Sequence, residues 1–406
     1  MKPFALTLLL TAAAAQPAAA QSLFLDDATL VVDGETLTRD VVIDGGELVE
    51  VGETLSAPNG AATISRAWIT PGLFAVDSTV GLVEVGAESS TNDTGADTPL
   101  SSVSQRAADA FNPRSSHVGI VRRQGITHAL VLPSPRGQSV FGGTGAVVKT
   151  SGDYRSVIDD EPAVHVALGE RGSSLAGGSR AAAMAQLRGA LEDADKGVDE
   201  RESGNVLTPM DARALRAVRF GDAYLAVRAS RASDILALAD LRRDYLPMEI
   251  IVYGAEEAHL VADQLADSGL RFVVDPMNNL PDSFESAGAR FGNFAALREV
   301  GLDVAIANTS SLGVTRAQAL RQHAGNAVAR GADWHDAFAA ISDVPAGWFG
   351  VEDTGLVVWD GDPLEVTSGA VHMILDGEAM SLESRQSLLR DRYNPLREDT
   401  RPHKYR

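Results

Sequence analysis

Residues 67–81 read Ala-Trp-Ile-Thr-Pro-Gly-Leu-Phe-Ala-Val-Asp-Ser-Thr-Val-Gly. The apolar run from Ile69 to Val76 predicts a β-strand, and Asp77 and Thr79 follow it with one residue between them. Because alternate residues of a strand point to the same face, we expect these two side chains to point the same way. The stretch therefore predicts a buried strand that ends by presenting two polar groups.

Short apolar segments alternate with helical patterns through the middle of the chain. The predicted strands after 69–76 lie at 126–132, 146–149, 163–168, 224–228, 249–253, 271–275 and 303–307. Helical periodicity occurs at 180–194, 211–218, 232–241, 256–266, 295–300 and 316–330. Strands that alternate with helices predict a parallel sheet. The count of eight favours a (β/α)8 TIM barrel, which takes roughly 250 residues; a doubly wound sheet is the alternative.

The amino-acid composition limits the classes of molecule that the protein binds. The chain has 406 residues, a formal net charge of -20 and no cysteine. Such an acidic surface argues against nucleic acid and anionic membranes as partners. The absence of cysteine excludes disulfides, zinc–thiolate sites and cysteine nucleophiles.

The N-terminus has the pattern of an export signal. Lys2 precedes an apolar run from Phe4 to Ala15, and Ala18 and Ala20 supply an A-x-A cleavage site. We expect residues 1–20 to be a signal peptide cleaved after Ala20, which places the mature protein in the periplasm or outside the cell. The run is too short to span a bilayer, so we expect no membrane attachment after cleavage; an uncleaved anchor is the alternative.

Several stretches resemble the amidohydrolase superfamily, in particular its imidazolonepropionase-like branch. In that family the opening strand carries Pro-Gly-Leu followed by His-x-His, and here residues 71–79 keep the frame. Residues 141–149 resemble the branch's Gly-Gly-x-Gly-Ala-Val-Val-Lys segment, and residues 356–364 match its closing strand. The resemblance implies a barrel at 69–352, a composite β-sandwich made of 21–68 and 353–382, and a basic tail at 383–406.

The same resemblance implies one or two divalent metals, usually zinc, at the barrel mouth. The positions that match the family's ligands, or lie beside them, are Asp77, Thr79, His165, Arg228, Ser230, Tyr253 and Thr309. Only an aspartate and a histidine in this set are good ligands, whereas a catalytic metal needs about three. The permanently charged Arg228 would repel a cation. We therefore expect no metal cofactor and an inactive homologue, or pseudoenzyme.

The function this favours is that of a non-catalytic subunit that pairs with an active amidohydrolase paralogue, or that forms a homo-oligomer. One alternative is a divergent hydrolase of amide, cyclic amide or peptide C–N bonds that uses Asp77, His165 and Glu170. Another is a periplasmic small-molecule binding protein. Asp77, Arg228, Tyr253 and His165 would form its pocket, or else a salt-bridge plug. The insertion at 82–118 would lie over the mouth.

Overall fold

A computed structural model describes residues 22–32, 34–45, 47–97, 102–198, 204–309 and 316–394. The predicted signal peptide and the end of the basic tail lie outside these residues. The strands are β1 Leu23–Val32, β2 Glu35–Asp44, β3 Glu47–Gly52, β4 Ala62–Ser65, β5 Trp68–Pro71, β6 Leu73–Ser78, β7 Ile126–Val131, β8 Phe141–Thr144, β9 Ala146–Lys149, β10 Val157–Asp159, β11 Ala163–Ala167, β12 Tyr224–Ala229, β13 Glu249–Gly254, β14 Arg271–Val274, β15 Asp303–Ile306, β16 Leu356–Trp359, β17 Ala370–Leu375 and β18 Glu378–Ala379.

Helices lie mainly between the strands of the middle region. They are α1 Ala107–Ala110, α2 Ser116–Arg122, α3 Gly169–Leu175, α4 Arg180–Lys196, α5 Pro209–Phe220, α6 Ala232–Asp244, α7 Ala262–Leu265, α8 Asn293–Glu299, α9 Leu320–Ala329, α10 Trp334–Ala339, α11 Asp343–Trp348 and α12 Arg385–Tyr393. None of the helices in the described ranges has both the length and the apolar character to cross a membrane.

The two ends of the chain share one sheet. Its order is β18-β17-β16-β5-β1-β2-β3, and β4 pairs with residues 23–26 of β1, next to the part that pairs with β5. The link is β5, which runs parallel to β1 and antiparallel to β16. Leu25, Val41, Ile69 and Val358 are buried in the core of this sheet. Segments more than 280 positions apart in the chain therefore pair through one short strand, while a two-layered sandwich remains a prediction.

The central strands form two sheets that meet at one segment. One has the order β10-β9-β7-β6 and the other β15-β14-β13-β12-β11-β8. Strands β8 and β9 are separated by Gly145 alone and pair with β11 and β7, respectively. A side chain at Gly145 would lie 2.8 Å from Leu132 Cδ2, so the crossing needs glycine.

One predicted strand has the wrong direction. The sequence indicates parallel strands throughout, whereas β8 and β9 run antiparallel to their neighbours. The physical reason lies in the connection from β7 to its partner β9, because residues 132–145 contain the short strand β8 and no helix. A parallel neighbour usually needs a crossover helix, but an antiparallel one does not. Of the other predicted central strands, β6 is parallel to β7, and β11 to β15 are parallel to one another.

Residues 340–341 bridge the outer strands β15 and β6. The backbone N–H of Phe74 donates to the Ile341 carbonyl at 2.9 Å, and that of Ile306 donates to Ala340 at 2.9 Å. Side chains from the central strands enclose a common apolar core that includes Phe74, Leu130 and Ile251. The result is a mixed α/β fold with a curled sheet. Within each sheet the carboxyl ends of the parallel strands lie at one edge. Asp77, near the end of β6, contacts Arg228, near the end of β12, so the two edges meet at one rim.

The predicted insertion at 82–118 is packed against the body in its described parts. Val103 is fully buried, and the Asp211 carboxylate accepts hydrogen bonds from the backbone N–H groups of Ser102 and Ser104 at 3.1 and 2.9 Å. The Ser134 N–H donates to the Thr94 carbonyl at 2.6 Å. These bonds tie both described parts of the insertion to the folded body.

Candidate functional site

Asp77 reaches the inside of the curled sheet because β6 contains an extra residue. Ala75 pairs with Ala129, but Ser78 pairs with Val131, so three steps along β6 face two along β7. Such a bulge breaks the alternation of side chains. Val76 already lies in the interior core, and Asp77 follows it on the same side, almost completely buried. Thr79 lies past the end of β6, where its carbonyl accepts the Leu82 N–H.

Two arginines meet the buried Asp77 carboxylate. Arg228, near the end of β12, places Nη2 3.0 Å from Asp77 Oδ2. Arg316 places its Nη1 3.5 Å from Oδ2 and its Nη2 3.4 Å from Oδ1. Two guanidinium groups thus share one carboxylate. Burial alone would raise the pKa of Asp77, but attraction to Arg316 and Arg228 outweighs it and the pKa is lowered. Asp77 is therefore ionised.

His165 lies on the strand next to Arg228, in the register that pairs Ala167 with Arg228. Its ring Nδ1 forms a hydrogen bond with the carbonyl of Pro133. A carbonyl only accepts, so Nδ1 carries the hydrogen. Burial lowers the pKa of His165 to about 4, and the nearby charge of Arg228 adds to the effect. The imidazole is therefore neutral, and its Nε2 is a buried acceptor with no partner among the residues the structure describes.

Tyr253 closes the same group from β13, where it pairs with Arg228. It is fully buried, and its hydroxyl donates to the Val76 carbonyl at 3.0 Å. Burial and the negative charge of Asp77 raise the pKa of Tyr253 well above its usual value. The phenol therefore stays protonated and fixes the backbone beside Asp77. We call Asp77, His165, Arg228, Tyr253 and Arg316 the arginine–aspartate cup.

A second polar group lies where β14 and β15 end. Asp275 directly follows β14, and its Oδ1 lies 2.7 Å from His323 Nδ1 on α9. Its carboxylate also accepts the backbone N–H groups of Met277 and Thr309 at 2.9 and 3.2 Å. Thr309, predicted at the position of the family's aspartate, thus serves as a backbone donor to a different aspartate.

Glu256 extends this second group toward β12. Its Oε1 accepts the side-chain amide of Asn278 at 3.0 Å, while its buried Oε2 has no partner within the described ranges. A side chain built at Gly254 would lie 3.0 Å from Glu256 Oε2 and 3.5 Å from Ser230 Oγ. Ser230 Oγ and Glu256 Oε2 therefore both lie beside Gly254. We call Glu256, Asp275, Asn278 and His323 the acidic rim group.

Glu170 belongs to neither group. It lies in the first turn of α3, where its backbone N–H donates to Glu285 Oε2 at 2.6 Å, and its carboxylate lies 3.6 Å from Arg180. Among the predicted site residues, the fold thus brings together Asp77, His165, Arg228 and Tyr253. Ser230 and Thr309 lie with the acidic rim group.

Comparison with known proteins agrees with the resemblance seen in the sequence. No protein-family model matches the chain, and no curated protein matches it either. An amidohydrolase from Thermotoga maritima MSB8 has a similar structure, with a TM-score of 0.74 at 21% identity over 88% of this chain and 99% of that one. A molinate hydrolase gives a TM-score of 0.51 at 14% identity over 89% and 95%. The chain has the amidohydrolase fold.

The metal centre of an amidohydrolase does not fit the residues of the cup. Within the described ranges, no three His, Asp or Glu side chains are placed to hold an ion. Asp77, the strongest ligand candidate, already accepts from two guanidinium groups. A divalent ion beside it would face two fixed positive charges, so electrostatic repulsion opposes binding.

Five residues of these groups were not predicted as site residues: Arg316, Glu256, Asp275, Asn278 and His323. Arg316 contacts Asp77 across 239 positions, and nothing in its own neighbourhood signals that contact. His323 lies on a predicted helix, but the sequence does not show which face of that helix packs against the strands. Asp275 had a usable signal, since it ends the apolar run of a predicted strand, where the carboxyl end of a parallel strand meets the rim.

Proposed function

We propose that this chain is a non-catalytic amidohydrolase homologue that acts as a subunit or partner of an active paralogue. The observation that carries the proposal is the contact of both Arg228 and Arg316 with Asp77. In a metal-dependent hydrolase the ion lowers the pKa of bound water and so creates the nucleophile. Here the space beside Asp77 contains guanidinium groups, which have no such effect on water.

The barrel is part of this proposal. We infer a (β/α)8 barrel of eight strand positions, formed by β6, β7, the β8–β9 segment and β11 to β15. The third position, the β8–β9 segment, runs antiparallel to its neighbours. The backbone bridge at 340–341 supports closure between β15 and β6. The cup would then lie at the carboxyl rim, where barrel enzymes have their active sites.

Metal analysis tests the loss of catalysis. Protein produced in medium with added zinc and manganese, and purified without chelators, is expected to contain far less than one metal per chain by mass spectrometry. Asp77→Asn and His165→Asn are the matched variants. A stoichiometric metal that both variants lose would place the ion in the cup and contradict the proposal.

The partner role needs its own experiment. Tagged protein expressed at its native level in its source organism is expected to co-purify with a second amidohydrolase that retains His-x-His after Pro-Gly-Leu. Light scattering then gives the stoichiometry of the complex. Recovery of the chain as a monomer under repeated mild conditions would count against a subunit role.

A divergent hydrolase is the second candidate, and the His323–Asp275 pair is the observation that favours it. A histidine oriented by a buried carboxylate can move protons without a metal. In this case the chain would cleave amide or cyclic amide bonds, and His323→Gln would abolish the activity while Arg231→Gln would not. Absence of turnover on a panel of N-acyl amino acids, dipeptides and cyclic amides leaves the non-catalytic role as the better proposal.

A further inference from the structure

We propose that the arginine–aspartate cup binds a small monocarboxylate that carries a hydroxyl group next to its carboxylate. The inference rests on the proposed metal-free cup and names the chemical class of its ligand. It draws on three features: an excess of positive charge, unused donors on Arg228, and an unpaired acceptor on His165.

The charge balance of the cup is opposite to that of the protein. The chain carries a formal charge of -20. The charges that act on His165 nevertheless come from Arg228, Asp77 and Arg316, which are two cations and one anion. A ligand with a single negative charge neutralises this group. A dianion would leave a net negative charge beside the buried Asp77, so the cup favours a monoanion.

Arg228 provides the donors for a carboxylate. It contacts Asp77 through Nη2, and its other N–H groups form no hydrogen bond with any described residue. Its side chain is 29% exposed, so a ligand can reach the guanidinium from solvent. Guanidinium matches a carboxylate with two parallel hydrogen bonds, a geometry that a point charge such as lysine does not offer.

His165 adds the requirement for a hydroxyl. Its Nε2 is an acceptor without a partner among the described residues, in a side chain of which only 6% is exposed. A buried acceptor of this kind destabilises the fold unless something donates to it. A carboxylate cannot donate, but a hydroxyl on the neighbouring carbon can. A hydroxy acid therefore satisfies Arg228 and His165 together.

Calorimetry with three probes tests the proposal on the full chain at neutral pH and low salt. Lactate is expected to bind, and propionate, which lacks only the hydroxyl, to bind roughly three- to tenfold more weakly, as one neutral hydrogen bond predicts. Inorganic phosphate is expected to bind more weakly than lactate because a large share of it is dianionic at neutral pH.

Two variants and one control locate the site. Arg228→Gln is expected to weaken lactate binding by roughly tenfold or more, since a charged hydrogen-bond donor is lost. Arg231→Gln removes the same charge three positions away, where Arg231 pairs with Asp234, and is expected to have no effect. His165→Asn retains a donor toward Pro133 but lacks Nε2. It should lower lactate affinity to that of propionate and leave propionate binding unchanged.

The outcomes separate the two proposals. Zinc in the cup overturns the proposed function and the carboxylate site with it. A folded, metal-free chain that binds none of the three probes, or that binds lactate and propionate equally, overturns the carboxylate site alone. Equal loss of both ligands in His165→Asn would contradict the role given to Nε2.

Discussion

The arginine–aspartate cup and the acidic rim group differ in how each carboxylate is neutralised. Asp77 is balanced by two arginines, from β12 and from residue 316. Asp275 is held by two backbone N–H groups and a histidine. In the first case charge is compensated by charge, and in the second mostly by dipoles. The same rim therefore contains one region with excess positive charge and one with excess negative charge.

Loss of the Asp77 carboxylate should have the largest effect on this comparison. Asp77→Asn removes the buried charge that both Arg228 and Arg316 contact, and we expect a loss of about 3 kcal/mol in the free energy of unfolding. Urea denaturation measures it. Asp240→Asn, which breaks the exposed pair with Arg243, is the control and should cost less than about 1 kcal/mol. Similar costs for both variants would contradict the buried role of Asp77.

The pH dependence of stability should come next in size. The folded-state pKa of His165 is lowered to about 4 from 6.5, so the unfolded chain takes up its proton first as the pH falls. The stability that this group contributes is complete above about pH 6.5 and is lost as the pH falls toward 4, an effect of about 3 kcal/mol.

His128 supplies an internal comparison for this titration. Burial also lowers its pKa to about 4, but it lies against Phe74 and outside the cup. Urea denaturation at a series of pH values from 7 to 4 gives the free energy of unfolding as a function of pH. This pH dependence should become weaker in His165→Asn, and also in His128→Asn. An unchanged pH dependence in His165→Asn would show that the imidazole is not buried in its neutral form.

Asp275→Asn should have a smaller effect than Asp77→Asn. The backbone N–H groups of Met277 and Thr309 donate to different oxygens of Asp275, so the amide, with its single oxygen, still accepts from only one of them. The contact with His323 loses the carboxylate charge, and we expect a cost of about 2 kcal/mol. Thermal and urea unfolding measure it beside Asp77→Asn. A larger loss of stability in Asp275→Asn than in Asp77→Asn would contradict the inference that backbone N–H dipoles neutralise most of the Asp275 charge.

Tyr253→Phe should have the smallest effect. It removes the donor to the Val76 carbonyl but leaves the ring in place, so we expect a loss of about 1 kcal/mol. Val252→Ala on the same strand is a packing control, since Val252 is buried and makes only apolar side-chain contacts. A change of metal content in Tyr253→Phe would contradict this role, because it would show that the phenol contacts a metal ion.

The positions of the central strands could be predicted from the sequence because each strand is a short apolar run. Residues 224–228 and 249–253, for example, lie within one residue of β12 and β13. The direction of each strand was harder to predict, since β9 has the composition of any buried strand. Only the lack of a helix between β7 and β9 makes them antiparallel neighbours. The candidate site was predicted in part: the resemblance selected Asp77, His165, Arg228 and Tyr253, and the fold brings them together.

The sequence alone shows the identities that make a metal centre unfavourable, since Thr79 and Arg228 stand where the family has ligands or residues beside them. Only the tertiary structure decided which groups neutralise one another. Arg316 reaches Asp77 across 239 positions, and the bulge in β6 turns Asp77 inward. Side-chain chemistry is a property of each residue, whereas charge pairing depends on distances that the folded backbone sets.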